Sequence, residues 1–560
     1  MTFFTQLLPR RADYGGIARS WRTDLVAGVT VGVVALPLAL GFGITTGLGA
    51  GAGLMTAIVA GLVAAVFGGS NVQVSGPTGA MTVVLVPVVA RFGPQAVAVV
   101  GLMAGVLILA ASLARLGRYL AYVPWPVVEG FTVGIAVIIF LQQVPAALGV
   151  PTPKGENAAF VAAKAVGDAI GHGTPAALGL VLLVAVVMTI TPRLHRSLPA
   201  SLIAVVAATV VAKIANLDVK HIGTLPASLP LPSLPSISAG KVSELFSAAL
   251  AVAILGALES LLSAKVADGM SDTGHSNPDR ELFGQGLANL ASPLFGGMPA
   301  TGAIARTAVN VRAGARTRVA AIVHSLVLVA VVYLAGPLVA AIPVAALAGV
   351  LMVTAIRMIE PHNLRAVLGS TRSDAAILIV TAVATVAFDL IVAVEVGIAV
   401  AALLALRQLT RTSTATPTPT EPDPTEAPID ADTEAELLSE HIVVYQLEGA
   451  LFFGAAQHFL TILTDIADVE VVILRLPRLQ FLDATGAHTL GEIVTQLEAR
   501  HITVLLKGPR PEHTRILRAV GALDRLATHH HVFDNLDDAI HHAHHHIQRN
   551  HTPGPSVTPA

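Results

Sequence analysis

SGPTGAM, Ser75–Met81, and GGMPATGAIAR, Gly296–Arg306, are two versions of one pattern. Each has a proline, then Thr-Gly-Ala, then residues that continue as apolar helix. In a soluble protein the repetition would be a curiosity. In a chain that crosses a membrane it is costly, because a Gly/Pro break at membrane depth leaves backbone groups without partners. The fold therefore turns on whether the surrounding sequence is a membrane sequence.

It is. Of 560 residues, 54% are hydrophobic and 12% charged, against about 25% charged in soluble proteins. Mean hydropathy is +0.72. The apolar content is mostly Ala, Val, Leu and Gly, with aromatics at only 4%, a palette that lets transmembrane helices pack closely. Cysteine is absent, which excludes disulfides and thiolate metal sites. The basic segment Arg10–Arg22 leads directly into the first apolar run, which reads as a retained span rather than a cleaved signal.

Spans are expected near 25–46, 54–69, 95–115, 126–147, 174–192, 199–215, 244–266, 318–336, 338–357, 373–388 and 390–408. Segments near 78–91, 282–295 and 301–314 are apolar but short. Counting them gives fourteen, divisible as seven and seven. With the N-terminus inside, Arg115, Arg118, Arg193, Arg196, Arg312, Arg316, Arg318, Arg357, Arg365, Arg372, Arg407 and Arg411 fall in inner loops. Arg91, Lys154, Lys164 and Lys220 fall outside. This positive-inside bias holds only if both Thr-Gly-Ala segments count as crossings.

Residues 412–440 form a Pro/Thr/acidic linker expected to be disordered. Beyond it the texture becomes that of a small α/β domain. HIVVYQLEG, EVVILRLP and ITVLLKG read as strands, while GAHTLGEIVTQLEAR, EHTRILRAVG and LDDAIHHAHHHI read as amphipathic helices. The expected division is a cytosolic segment 1–22, a transmembrane domain 23–411, the linker, a soluble domain 441–547 and a disordered tail 548–560.

Two broken helices at matching positions of two halves point to a transporter site. Thr78, Gly79 and Ala80 occupy the third segment of one half, and Thr301, Gly302 and Ala303 the third of the other. Opposed half-helices would aim their N-termini, with free N–H groups and partial positive charge, at one gap suited to an anion. Packed kinks are the bland alternative, and the repetition argues against it. Glu259 lies within the apolar run ALAVAILGALESLLSAKVA, where an ionisable residue is a functional candidate by default. An apolar setting disfavours its charge, so it can take up a proton and relieve repulsion against an incoming anion. Ser263, four residues on, shares its face. Arg306, one turn into the second half-helix, either holds the anion or pairs with a buried acid such as Glu259. Glu129, Glu395 and His324 are other buried ionisable candidates, read respectively as an inner-headgroup residue, an oddity and a structural histidine.

At these residues the chain resembles SulP-family anion permeases with a C-terminal STAS domain, over nearly its whole length from Asp24 to Ile547. DLVAGVTVGVVALPLAL, SNVQVSGPTGA, GALESLLSAKVADGM and DRELFGQGLANLASPLFGGMPATGAIARTAVNVRAGARTR carry the likeness. Within the family it looks most similar to the proton-dependent C4-dicarboxylate permease branch. The resemblance implies a multi-pass α-helical protein of two inverted seven-segment repeats, forming core and gate domains, with a cytosolic α/β STAS domain. It also implies dimerisation, elevator-like movement, and a plasma (inner) membrane location with the N-terminus and STAS domain cytoplasmic. The anion site it implies comprises Thr78, Gly79, Ala80, Thr301, Gly302, Ala303 and Arg306. Sodium-coupled bicarbonate members have Asp and Thr where this chain has Glu259 and Ser263, which favours protons over sodium as the coupling ion. VVILRLPRLQFLDATGAHTL carries the STAS likeness. In related anti-sigma antagonists the equivalent loop is phosphorylated, and Thr485 is the sole candidate acceptor here. The dicarboxylate branch also suggests acyl carrier protein as a STAS partner.

The expected function is thus secondary uptake of a small anion coupled to protons, with C4-dicarboxylate ahead of sulfate and bicarbonate. An anion channel or exchanger gated by the STAS domain, and a membrane sensor, are alternatives of other classes. No nucleophile–base pair, phosphate loop or basic nucleic-acid patch appears, so an enzyme and a nucleic-acid binder are not expected. No cofactor or resident metal is expected either. The runs HHHV and HHAHHHI could bind Ni²⁺ or Zn²⁺, but read more simply as a solvated face.

Overall fold

In a computed structural model, the structure describes residues 3–117, 124–155, 157–195, 198–225, 228–235, 242–271, 273–387, 399–400, 433, 437–439, 441–451, 469–523, 526 and 530–551. The expected span 390–408, Glu395 and most of the linker lie outside them. The chain divides into two compact units. One comprises Met1–Ala121, Thr132–Ile359 and Ala384–Val392; the other comprises Tyr122–Phe131, Glu360–Val383 and Ala393–Ala560.

In the first unit, α1 (Ile17–Thr45) and α2 (Ala50–Phe67) lead to a two-residue strand, β1 (Ser75–Gly76). Then follow α3 (Gly79–Phe92), α4 (Gln95–Leu113), α5 (Trp125–Leu148, shared between the units), α6 (Ala158–His172), α7 (Pro175–Leu194) and α8 (Ala200–Ile214). Helix α9 (Val242–Met270) and α10 (Pro278–Leu294) precede β2 (Thr301–Gly302), α11 (Ile304–Arg312), α12 (Val319–Leu334) and α13 (Val344–Met358). Thus every expected span before Arg372 is helical, although that at 338–357 is broken between a short helix, Gly336–Ala340, and α13. The first begins at Ile17, earlier than expected, and α6 was not foreseen as an element.

Among the described residues, seven helices are long and apolar enough to cross a membrane, and α3, α8 and α12 are shorter apolar ones. Their outer faces suit lipid. On α7, Leu178, Leu182, Val186 and Ile190 recur every four residues and are exposed, while Ala177, Leu180, Val184 and Met188 are buried on the other side.

The packing repeats itself. Helix α4 lies on α9 and α10, as α12 lies on α1 and α2; α3 contacts α9, as α11 contacts α1. Exchanging the two halves maps each contact onto its counterpart. The strands β1 and β2 lie at the crossing point and pair antiparallel, Ser75 with Gly302 and Gly76 with Thr301. This pairing supplies partners for backbone that the helix breaks would otherwise strand.

The second unit contains α14 (Pro361–Ser370), the start of α15 (Arg372–Ala387) and the α/β domain. That domain runs β3 (Ile442–Gln446), β4 (Gly449–Leu451), β5 (Val471–Arg475), β6 (Leu479–Leu482), α16 (Ala484–Ala499), β7 (Thr503–Lys507), α17 (Pro511–Ala519), β8 (Val532–Phe533) and α18 (Leu536–His551). Strands β3-β5-β7-β8 form a parallel sheet, and β4 pairs with β6. Fully buried Val471–Leu474 on the central strand β5 explain its unbroken apolar run. Helix α18 continues past Ile547, where a disordered tail was expected to begin.

Within this unit, Asp374 at the start of α15 accepts a hydrogen bond from the Ala484 N–H (3.0 Å). The neighbouring Asp483 caps α16 by accepting from Gly486 N–H (2.6 Å). Burial, and then the charge of Asp374, push the Asp483 carboxyl up to about 7, against the opposing pull of its backbone hydrogen bonds. Because this value is raised above that of the unfolded chain, the stabilisation is complete at acid pH and is lost as pH rises through about 7. The melting temperature of this unit should therefore fall by several degrees from mildly acidic to mildly alkaline buffer. Asp483→Asn, which keeps the capping oxygen, should flatten that dependence. Trp125 fluorescence in a Trp21→Phe background reports it, since the chain has only 2 tryptophans.

Candidate functional site

The Thr-Gly-Ala sequences sit where the two halves cross. Thr78 is the N-cap of α3 and its hydroxyl accepts from Met81 N–H (3.4 Å). Ala303 is the N-cap of α11 and offers no side-chain cap; its own N–H donates to Val74 O (2.9 Å). The first-turn N–H groups of both helices therefore lack intrahelical acceptors, as helix geometry requires. Gly79, Ala80, Thr301, Gly302 and Ala303 are buried, and Thr78 is half-buried.

Helix α9 ties the two half-helices together. Gly256, Glu259, Ser260 and Ser263 follow the i, i+3, i+4, i+7 spacing of one helical face. Glu259 Oε2 accepts from the Thr78 hydroxyl (3.0 Å) and so touches α3. Ser260 Oγ accepts from Gly302 N–H (3.0 Å) and lies 3.0 Å from Thr301 Oγ1, which itself donates to Gly256 O (3.2 Å). Ser263 Oγ pairs with Thr307 Oγ1 on α11 (3.0 Å). Ser263 is thus on the expected face, but its hydroxyl serves the second half-helix rather than Glu259. Ser260, which the sequence reading passed over, is the hydroxyl that holds Thr-Gly-Ala.

Arg306 is 3% exposed, and its Nη2 donates to Pro77 O (2.6 Å). The guanidinium of one half-helix thus reaches the chain that leads into the other. Its partner is a carbonyl rather than a direct ion pair with Glu259, and Nη1 has no hydrogen-bond partner. Other buried polar atoms here share this condition: both amide atoms of Gln73, both ring nitrogens of His324, and Gln285 Oε1. Gln285 completes the polar floor, its amide donating to Ser75 Oγ and to Glu281 Oε1 (3.2 Å). Buried polar atoms without partners are uncommon, and a cluster of them beside helix N-termini is what a site for a hydrogen-bonding anion requires.

Two glycines let the backbones meet. Gly76 has φ +154°, and a Cβ there would lie 2.7 Å from Arg306 Nη1. A Cβ on Gly302 would collide with the Gln73 amide and lie 3.0 Å from Ser260 Cα. Gly302→Ala should therefore lower anion uptake by about tenfold or more, through displaced polar groups that cost ~1–3 kcal/mol each. Uptake into proteoliposomes, with folding checked by size exclusion, measures it.

Elsewhere, Glu129 is half-buried and its Oε1 accepts from both Trp125 Nε1 (3.0 Å) and Asn363 Nδ2 (3.1 Å). Thr485 is 8% exposed, and its Oγ1 accepts from the Trp125 backbone N–H (3.1 Å). The Trp125 ring stacks on His488 at 4.1 Å. A phosphoryl group on Thr485 would have to displace this contact.

Comparison with known proteins adds three findings. The pattern of the sulfate permease family matches residues 21–381, and that of the STAS domain matches residues 437–539. The chain is 33% identical to the putative sulfate transporter YvdB of Bacillus subtilis, covering 93% of this chain and 97% of the relative. It is 30% identical to the bicarbonate transporter BicA of Picosynechococcus, covering 91% and 92%. A solved structure of murine Solute Carrier 26 family member A9, an anion transporter, superposes with a TM-score of 0.66 at 18% identity, covering 97% and 95% of the two chains. The fold is therefore that of this multi-pass α-helical membrane architecture with a C-terminal α/β STAS domain. The relatives' names are sulfate and bicarbonate, not dicarboxylate.

Proposed function

The chain belongs to the sulfate permease family, a family of anion transporters and not of enzymes, and from that premise we propose that it carries sulfate or bicarbonate coupled to protons. The observation that carries this reading is Arg306. It is a buried guanidinium with an unpartnered Nη1, in the first turn of one half-helix and bonded to the Pro77 carbonyl just before the N-cap of the other. Its charge and the free N–H groups suit a compact oxyanion. The relatives' names favour an inorganic anion over the dicarboxylate that the sequence resemblance suggested. Acyl carrier protein as a partner belonged to that resemblance and is not carried forward.

Coupling runs through Thr78. One hydroxyl both donates to Glu259 and accepts from the N-terminus of α3. A proton on Glu259 removes a negative charge from the edge of the anion site and weakens the pull on Thr78, so anion and proton enter together. Glu259 is half-buried rather than sealed, which suits a group that must exchange its proton. The symmetric packing of the halves supports two inverted seven-segment repeats, and the family resemblance adds the proposal of an elevator-like movement of a core against a gate in a dimer. Thr78, Gly79, Ala80, Thr301, Gly302, Ala303 and Arg306 are proposed to bind the anion, and Glu259 to carry the proton. Ser263 is proposed to support α11 instead of a coupling ion.

The test is uptake of radiolabelled sulfate, bicarbonate and succinate into proteoliposomes under an inward proton gradient, then an inward sodium gradient. Proton-driven accumulation of sulfate or bicarbonate is expected. Succinate alone would restore the dicarboxylate reading, sodium dependence would move the coupling ion, and gradient-independent current would make the protein a channel.

A further inference from the structure

The second unit holds a cluster that transport does not use. His531 enters strand β8, and His542 and His546 lie four residues apart on α18. One ligand nitrogen from each lies within 4.8 Å of the other two. The rings surround a common point, with His531 5.5 Å from His542 and 5.2 Å from His546, and the helical pair 5.0 Å apart.

The backbone holds this triangle in place. His531 N–H donates to Leu526 O (2.8 Å), and its carbonyl accepts from Leu506 N–H on β7 (2.8 Å), so it is fixed at the sheet edge. Helix α18 packs on β5, β7 and β8. Ala539 and Ala543, both 0% exposed, press it against the sheet. His542 and His546 therefore cannot drift away from His531 without undocking the helix. Phe533 forms one wall, its ring 5.1 Å from His542.

We infer that His531, His542 and His546 form a binding site for a borderline divalent transition metal of the Zn²⁺ class, which staples α18 to the edge of the STAS sheet. Imidazole suits such ions, and three ligands with an open fourth position make a tetrahedral centre. Zn–N bonds of ~2.0–2.1 Å place tetrahedral ligand atoms ~3.3 Å apart. The present separations, within 4.8 Å, exceed that value by ~1.5 Å at most. His541 and His545 provide an internal contrast. They too are spaced by four residues, with rings 5.3 Å apart. They are exposed on another face, and no third histidine from the sheet joins them among the described residues.

The test uses the full-length chain in detergent, purified by a tag without histidine and stripped with a chelator. Titration with Co²⁺ alone should give one ion per chain with a tetrahedral ligand-field spectrum, displaced by Zn²⁺. His542→Ala/His546→Ala should weaken binding by about a hundredfold, whereas His541→Ala/His545→Ala should change it by less than about threefold. Zn²⁺ should also raise the melting temperature of the wild type and the second variant, but not the first. Equal losses in both double variants, an octahedral spectrum, or binding only at millimolar metal would overturn the inference. Circular dichroism of each variant without metal keeps a folding defect from imitating a lost ligand.

Discussion

Proteoliposomes containing Glu259→Gln lose gradient-driven accumulation of the anion but retain exchange of internal for external anion. Glutamine keeps an oxygen that accepts from the Thr78 hydroxyl, so the cap on α3 survives. What it lacks is a group that gains and loses a proton. An inward gradient of about two pH units supplies ~2.7 kcal/mol per proton, enough for ~100-fold accumulation with one proton per anion. In the variant this should fall to the equilibrium distribution, a change of about two orders of magnitude. Glu259→Asp, with a shorter reach to Thr78, should recover part of it. Full accumulation by Glu259→Gln would remove Glu259 from the coupling and leave the anion site intact.

The second large effect is at Arg306. Arg306→Ala removes the buried charge and the Nη2 bond to Pro77 O, which joins the two Thr-Gly-Ala chains. Hydrogen bonds to charged groups contribute ~1.5–3 kcal/mol, so the apparent KM for the anion should rise about 10- to 150-fold. Arg306→Lys separates the two roles of the side chain. A lysine keeps the charge but not the planar fork that donates to Pro77 O and the anion together. It should therefore recover only part of the affinity. Initial rates across a range of anion concentrations distinguish a KM effect from lost protein. An unchanged KM in Arg306→Ala would place the anion elsewhere.

The parts of this site differ in how they show in sequence. The two Thr-Gly-Ala motifs are legible because a helix break at membrane depth is costly and was written twice. Glu259 is legible because a carboxylate in an apolar run stands out. The face of α9 is written in plain helical spacing, yet spacing alone does not give the partner of Ser263. Residues four apart share a face, but which neighbour that face meets depends on tertiary packing. Strands β1 and β2 are two residues each, too short to carry a periodicity, and their pairing spans most of the membrane domain. Gln73 becomes notable only through burial without partners, a property of the packed protein, while His324 stands out in its apolar run but reads there as a hydrogen-bonded structural residue, and both its ring nitrogens are buried without partners. In the STAS domain, β3, β5 and β7 follow from apolar runs, whereas β8 is too brief to be read. The triangle of His531, His542 and His546 arises because a strand edge and a helix face meet. A histidine-rich tail by itself does not predict it.

In the proposed mechanism both half-helices serve one anion. The most direct measurement is an experimental structure of the protein with its best-transported anion bound. Density for that anion is expected between the N-termini of α3 and α11, within hydrogen-bond distance of Arg306 Nη1. Density away from Arg306, with the Thr-Gly-Ala N-termini occupied only by protein, would contradict it.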